Sequence, residues 1–129
     1  MPQKIEIVAG DVQFEAELND CPTAKKIISI LPIEALAQRW GGEIYFLIPV
    51  TAELESDSRE VLDAGELGFW PCGNAFCVFF GPTPVSHGDE IRAASAVNII
   101  GKMKSDWSKL WDVSSGSDII IKMAEGGKK

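Results

Sequence analysis

Residues 75–80 read Ala75-Phe76-Cys77-Val78-Phe79-Phe80, an uninterrupted apolar run with turn formers on both sides, Pro71-Cys72-Gly73-Asn74 before it and Gly81-Pro82-Thr83-Pro84 after it. A short aromatic-rich run with such flanks predicts a strand buried on both faces. Working outward, Gly65 precedes a second short apolar run, Leu67 to Trp70, which the pattern also assigns to a strand. Further upstream, Glu43 to Ile48 is rich in β-branched and aromatic residues and follows Gly41-Gly42, a strong hairpin signal. Ile33 to Trp40 fits strand or helix by pattern, and the glycine pair favours a strand joined to the next one.

The rest of the chain adds strands more readily than helices. Ile5 and Ile7, a turn at Gly10-Asp11, and Val12, Phe14, Ala16 and Leu18 alternate with polar residues as a β-hairpin does. Asn19-Asp20-Cys21-Pro22 is a helix start, and Ala24, Ile27, Ile28 and Leu31 recur at helical spacing until Pro32, predicting one amphipathic helix of about three turns. Thr51 to Glu60 is polar and acidic and reads as an exposed loop, and Val85 to Ala96 as a long connection. Val97 to Met103 and Asp118 to Met123 read as strands, with Asp106 capping a short helical turn that carries Trp107, Leu110 and Trp111. Glu125 to Lys129 reads as a frayed polar tail. About eight strands at short spacing, one clear helix and one helical turn predict a mainly β fold, a closed eight-stranded barrel that the helical elements cap. Side chains just fill a barrel of that size, so a ligand site is expected on its outer wall or under a loop.

Composition bounds the function. The 129 residues, 46% hydrophobic and 24% charged, fit a single domain spanning 1–129, large enough for a core that needs no disulfide or metal. Nineteen acidic against twelve basic residues give a net charge of −7, which opposes nucleic acid and anionic membranes as partners. The apolar run Ile44 to Val50 falls far short of the roughly 20 residues that span a bilayer, and the N-terminus lacks the apolar core of a signal peptide, so a soluble cytoplasmic protein is expected. Cys21, Cys72 and Cys77 are odd in number and not spaced as a zinc or redox motif, which suggests reduced, packed thiols and no cofactor. A zinc site drawing on Cys72, Cys77, His87 and Cys21 is the weaker alternative.

The strings Arg39-Trp40-Gly41-Gly42-Glu43-Ile44-Tyr45-Phe46-Leu47-Ile48-Pro49, then Gly65 to Pro84, then Gly88-Asp89-Glu90-Ile91-Arg92 resemble the small prokaryotic cyclophilin-like proteins, a family of unassigned biochemical role. The likeness runs from about Ile5 to Met123 and implies a cyclophilin-type barrel. Active cyclophilins isomerise X-Pro bonds: an apolar pocket grips the proline ring while an arginine aimed at the prolyl nitrogen weakens amide resonance. The resemblance puts Phe46 where that arginine belongs, and Val50 to Ser58 lacks the methionine and glutamine that follow it in the enzymes. By the same likeness Trp70 stands in place of a small alanine, Pro71 of an asparagine, and Ala75 of a polar glutamine, while nothing transfers to His87.

What the resemblance implies is a groove rimmed by Phe46, Trp70, Asn74, Phe76 and Phe79, with Arg92 as a guanidinium that could swing over it. The leading expectation is a noncatalytic module that binds a peptide or a small apolar ligand; the alternative is a peptidyl-prolyl isomerase with a variant site. The sequence leaves the ligand and the oligomeric state open. Trp107 and Trp111 are expected to pack on the barrel rather than form a self-association patch.

Overall fold

The computed structural model describes residues 3–104 and 106–124. The chain runs as β1 (Gln3–Ala9), β2 (Val12–Leu18), α1 (Pro22–Ser29), β3 (Ile33–Leu36), β4 (Gln38–Trp40), β5 (Glu43–Leu47), β6 (Arg59–Leu62), β7 (Glu66–Trp70), β8 (Ala75–Phe79), β9 (Ile91–Met103), a 3-10 helix (Ser108–Asp112) and β10 (Asp118–Met123). The hairpin forms as its alternation predicts, turning at Gly10 with φ of 57°, and Ile5, Ile7, Ala9, Phe14, Ala16 and Leu18 all face the core. In α1 the Cys21 thiol caps the N-terminus, its Sγ accepting from the Ala24 N–H at 3.4 Å. The helix has eight residues, about two turns rather than three. It ends at Ser29 because Pro32 keeps the residue before it out of helical conformation.

The closed eight-stranded barrel is not what forms. The sheet has ten strands, and its ladder runs β3-β10-β1-β2-β9-β7-β8-β5-β4, with β6 attached to β9, so it is open. Both additional strands come from tertiary pairing. Ile33 to Trp40 is two strands because Ala37 exchanges hydrogen bonds with the segment before β10, its N–H donating to Ser117 at 2.8 Å and its carbonyl accepting from Gly116 at 2.7 Å. Beyond Ala37 the chain turns away to pair with β5, and two consecutive stretches of one extended chain cannot pair with each other. The second addition, β6, begins at the end of what reads as an exposed loop, Thr51 to Glu60, and runs two residues past it; three of its four residues face solvent, so no alternation marks it, and only Leu62 is buried.

The long connection expected over Val85 to Ala96 is also shorter, because β9 begins at Ile91. Its 13 residues change register against both β6 and β7, and such irregularities bend a strand. The bent strand serves two apolar layers. One is the interior, where Phe46 stacks on Phe76 with centroids 5.1 Å apart. The other lies on the outer face of the sheet, where Leu62, Ala75, Cys77, Phe79, Ile91, Ala93 and Val97 pack together against half-buried Tyr45 and Trp70. β8 is therefore buried on both faces, as its sequence predicts.

Asn98 is the buried anchor of the acidic segment after β5. Asn98, wholly buried, accepts from the Glu55 N–H at 2.7 Å and donates to the Glu53 carbonyl at 2.9 Å and to Thr23 Oγ1 at 3.0 Å. The Glu55 carboxylate in turn accepts from the Thr23 N–H at 3.0 Å, placing negative charge at the N-terminus of α1. Trp111 meets Phe80 edge-on at 4.8 Å, and the Arg39 guanidinium lies over both rings. Trp107 packs against the interior cluster. The expected tail at 125–129 lies outside the described residues, while Ala124 still donates to the Lys4 carbonyl at 3.1 Å. No described helix is long and apolar enough to cross a membrane.

Asn98→Ala is expected to destabilise the fold by about 3 kcal/mol, because it strands buried donors and acceptors of residues 23, 53 and 55. Urea unfolding measures the loss, and a change below about 1 kcal/mol would mean that the segment is anchored by something else.

Candidate functional site

Strand alternation decides which residues reach the outer wall. On β5, Ile44 and Phe46 enter the interior, which leaves Glu43 and Tyr45 on the outer face. The β4–β5 hairpin pairs Trp40 with Glu43, and β7 supplies Trp70 from the same side of the sheet. The bent first half of β9 adds Ala93, Ala94 and Val97. Together these seven residues line a cavity of about 160 Å³. A cavity near 150 Å³ holds a benzene-sized guest, so this one suits a single ring or a compact branched group.

The aromatic wall is held in place. The Trp70 indole N–H donates to Ser95 Oγ at 2.6 Å, and the ring lies directly over Gly73, where a Cβ would come within 2.7 Å of it. Only glycine permits that approach. Gly68 plays a similar part deeper down: a Cβ there would stand 2.7 Å from Val97, so its absence lets β9 settle on β7.

Glu43 is the polar exception in this lining. It is 6% exposed, and its Oε1 is buried with no hydrogen-bond partner. Loss of hydration disfavours the charged form and pushes the carboxyl up to about 7, with the neighbouring Cys77 thiol acting weakly in the other direction. Cys77 donates to the Ala75 carbonyl at 3.8 Å. Burial, and then the Glu43 carboxylate beside it, push the Cys77 thiol well above its ordinary range, so it behaves as a packed apolar group and not as a nucleophile.

Of the six residues singled out from sequence, the cavity brings in Trp70 alone. Phe46 and Phe76 form the stacked pair of the interior, and Phe79 is sealed in the outer cluster beneath β9. Asn74 occupies the β7–β8 turn with φ of 52°, a left-handed conformation that asparagine tolerates, and its carbonyl accepts from the Ile48 N–H at 3.0 Å. Arg92 does not swing over the wall. It is a β9 residue held by Glu90 at 2.7 Å and Glu60 at 2.9 Å; its bond with Glu90 raises the guanidinium and lowers the carboxylate relative to their ordinary values.

The other two arginines are engaged elsewhere. Arg39 donates to the carbonyls of Gly41, Trp111 and Val113, and Arg59 pairs with Glu66 at 2.6 Å. The cysteines and histidine do not gather: Cys21 caps α1, Cys77 is buried in β8, and Cys72 and His87 are exposed. Among the described residues no three metal-ligating side chains cluster. Trp40, Glu43 and Tyr45 are lining residues that the resemblance does not mark; the alternation Glu43-Ile44-Tyr45-Phe46 signals that Tyr45 faces away from Phe46, while nothing local signals Trp40 or the burial of Glu43.

Comparison with known proteins adds two findings. A family model described as cyclophilin-like matches residues 3–122. The solution structure of the hypothetical protein AF2241 from Archaeoglobus fulgidus is similar at 37% identity, with 95% of each chain covered and a TM-score of 0.82. No curated protein matches.

Glu43 gives stability a pH dependence of definite sign. The carboxyl is faced by Cys77 of β8 and Tyr45 of its own strand, while β4 and β9 present Trp40, Ala93, Ala94 and Val97. Because folding raises it from 4.5 to about 7, its favourable contribution is complete below pH 4.5 and is lost as pH rises through 7. The loss amounts to roughly 3 kcal/mol. Glu90 and Asp106, lowered by bonds with Arg92 and with the Ser108 N–H, act with the opposite sign in a more acidic range. Urea unfolding from pH 5 to 8 should show Glu43→Gln gaining on the wild type as pH rises; parallel curves would mean that Glu43 titrates normally.

Proposed function

The chain belongs to the cyclophilin-like family, and from that membership we propose that it is a noncatalytic binding module whose ligand seats one compact group between Trp40, Tyr45 and Trp70. The observation that carries this reading is a ring-walled cavity on the outer face of the sheet with no arginine in its lining. Prolyl isomerisation has to overcome a barrier of roughly 18–20 kcal/mol, and an enzyme lowers it by placing charge or donors where the amide twists. Here all three arginines are committed to carbonyls or carboxylates outside the cavity. Moving Arg92 would mean giving up two charge-assisted bonds.

Binding needs less. A cavity walled by large rings and two alanines removes a guest from water on several sides, and the hydrogen bond from Trp70 to Ser95 fixes one wall before the guest arrives. A guest of six or seven heavy atoms is expected to bind with a dissociation constant on the order of 0.1–1 mM, and a longer ligand anchored by that group more tightly. A peptide carrying one ring side chain and a free small molecule both meet this description.

Two measurements test the proposal. A panel of single-ring compounds followed by tryptophan fluorescence should give a saturable response that Trp70→Ala abolishes while circular dichroism is unchanged; a response independent of Trp70 would remove this cavity from the function. An Ala-Pro peptide followed by NMR exchange should show no broadening at catalytic protein levels. Broadening that persists in the wild type and disappears in Arg92→Ala would make the protein an isomerase instead.

A further inference from the structure

We propose that the ligand of this cavity is a small organic cation, a trimethylammonium-type head group, held by the faces of Trp40, Tyr45 and Trp70 and attracted by the charge of the Glu43 carboxylate behind them. The inference rests on the binding reading above and narrows it to one chemical class.

Four features of the lining point the same way. Two indoles and a phenol are the side chains whose π-faces attract cations most strongly. Glu43 lines the cavity and is more than nine-tenths buried; its Oε1 lies just beneath the wall with no hydrogen-bond partner, and the Cys77 thiol is the carboxylate's one side-chain donor, so a poorly compensated acidic group sits directly behind the rings. A neutral apolar guest gains nothing from that carboxylate, whereas a methylated ammonium brings a positive charge to a poorly hydrated negative one. No lysine or arginine lines the cavity, so no internal cation competes for the carboxylate. The remaining wall, Ala93, Ala94 and Val97, is suited to methyl groups, and about 160 Å³ accommodates a compact head group but not a long chain.

Alternative uses of the same carboxyl fit less well. As a nucleophile or proton shuttle Glu43 would need a partner, and its one chemically active neighbour, Cys77, is held in its neutral form by burial. As a metal ligand it has no companion, because no group of three ligating side chains occurs among the described residues.

The test compares two probes of nearly equal shape, trimethylammonium chloride and tert-butanol, which both carry a donor but differ in charge. Each is titrated into the full chain at pH 7.5 and followed through the indole N–H resonance of Trp70. The cation is expected to bind at least tenfold more tightly than the alcohol. Glu43→Gln should reduce its affinity about tenfold and leave tert-butanol unchanged, and Tyr45→Leu should weaken the cation more than the alcohol. Equal affinities for the two probes, or cation binding that neither substitution alters, would overturn the cation proposal. If the single-ring panel still reports through Trp70 in that case, the binding module stands with a neutral ligand. If neither probe nor any ring compound moves the Trp70 signal, both readings fall together.

Discussion

Phe76 and Phe79 leave β8 on opposite faces and are both excluded from solvent, and the rest of the architecture answers to that requirement. An antiparallel sheet can keep one face wet, but a strand apolar on both faces needs cover on both. Curling the sheet covers the Phe76 side, where Phe46 of the neighbouring strand stacks on it. The Phe79 side cannot be covered by curling, and the chain covers it by folding the first half of β9 and the short β6 back over the sheet. The ligand-sized cavity is the gap left at the margin of that second cover, between the rings of Trp40, Tyr45 and Trp70 and the two alanines of β9.

Most strands were legible from residues alone because each has a local signature. The alternation of Ile5 through Leu18, the apolar run of β8 and the Ile119 to Ile121 stretch of β10 each satisfy their pattern without help from distant contacts. What escaped depends on tertiary pairing. β6 is a strand because β9 offers it a partner, and the division of β3 from β4 is set by hydrogen bonds between Ala37 and residues nearly 80 positions later. Strand counting could not reveal that the ladder stays open, since closure is a property of pairing and not of content.

The site was less legible than the fold, and parity is the reason. A resemblance in a strand is only as good as its register, because one position of offset exchanges the two faces, and it leaves unmarked the residues of the other parity. Phe46 is carried into the core, while Glu43 and Tyr45, on the other parity, form the wall. Glu43 in particular reads in sequence as an ordinary polar residue after a glycine turn. Its burial arises from Trp40 across the hairpin and from β9 some 50 residues later, so no local pattern could announce it.

The open ladder has a mechanical counterpart. Its two terminal strands are also neighbours along the chain, with Ala37 the single residue between them. Sliding either edge by one register would pull directly on this short covalent bridge and so drag the opposite edge with it. The sheet thus resembles a belt whose ends are sewn together by one stitch, resisting shear through backbone tension where a hydrogen-bonded seam would otherwise be required.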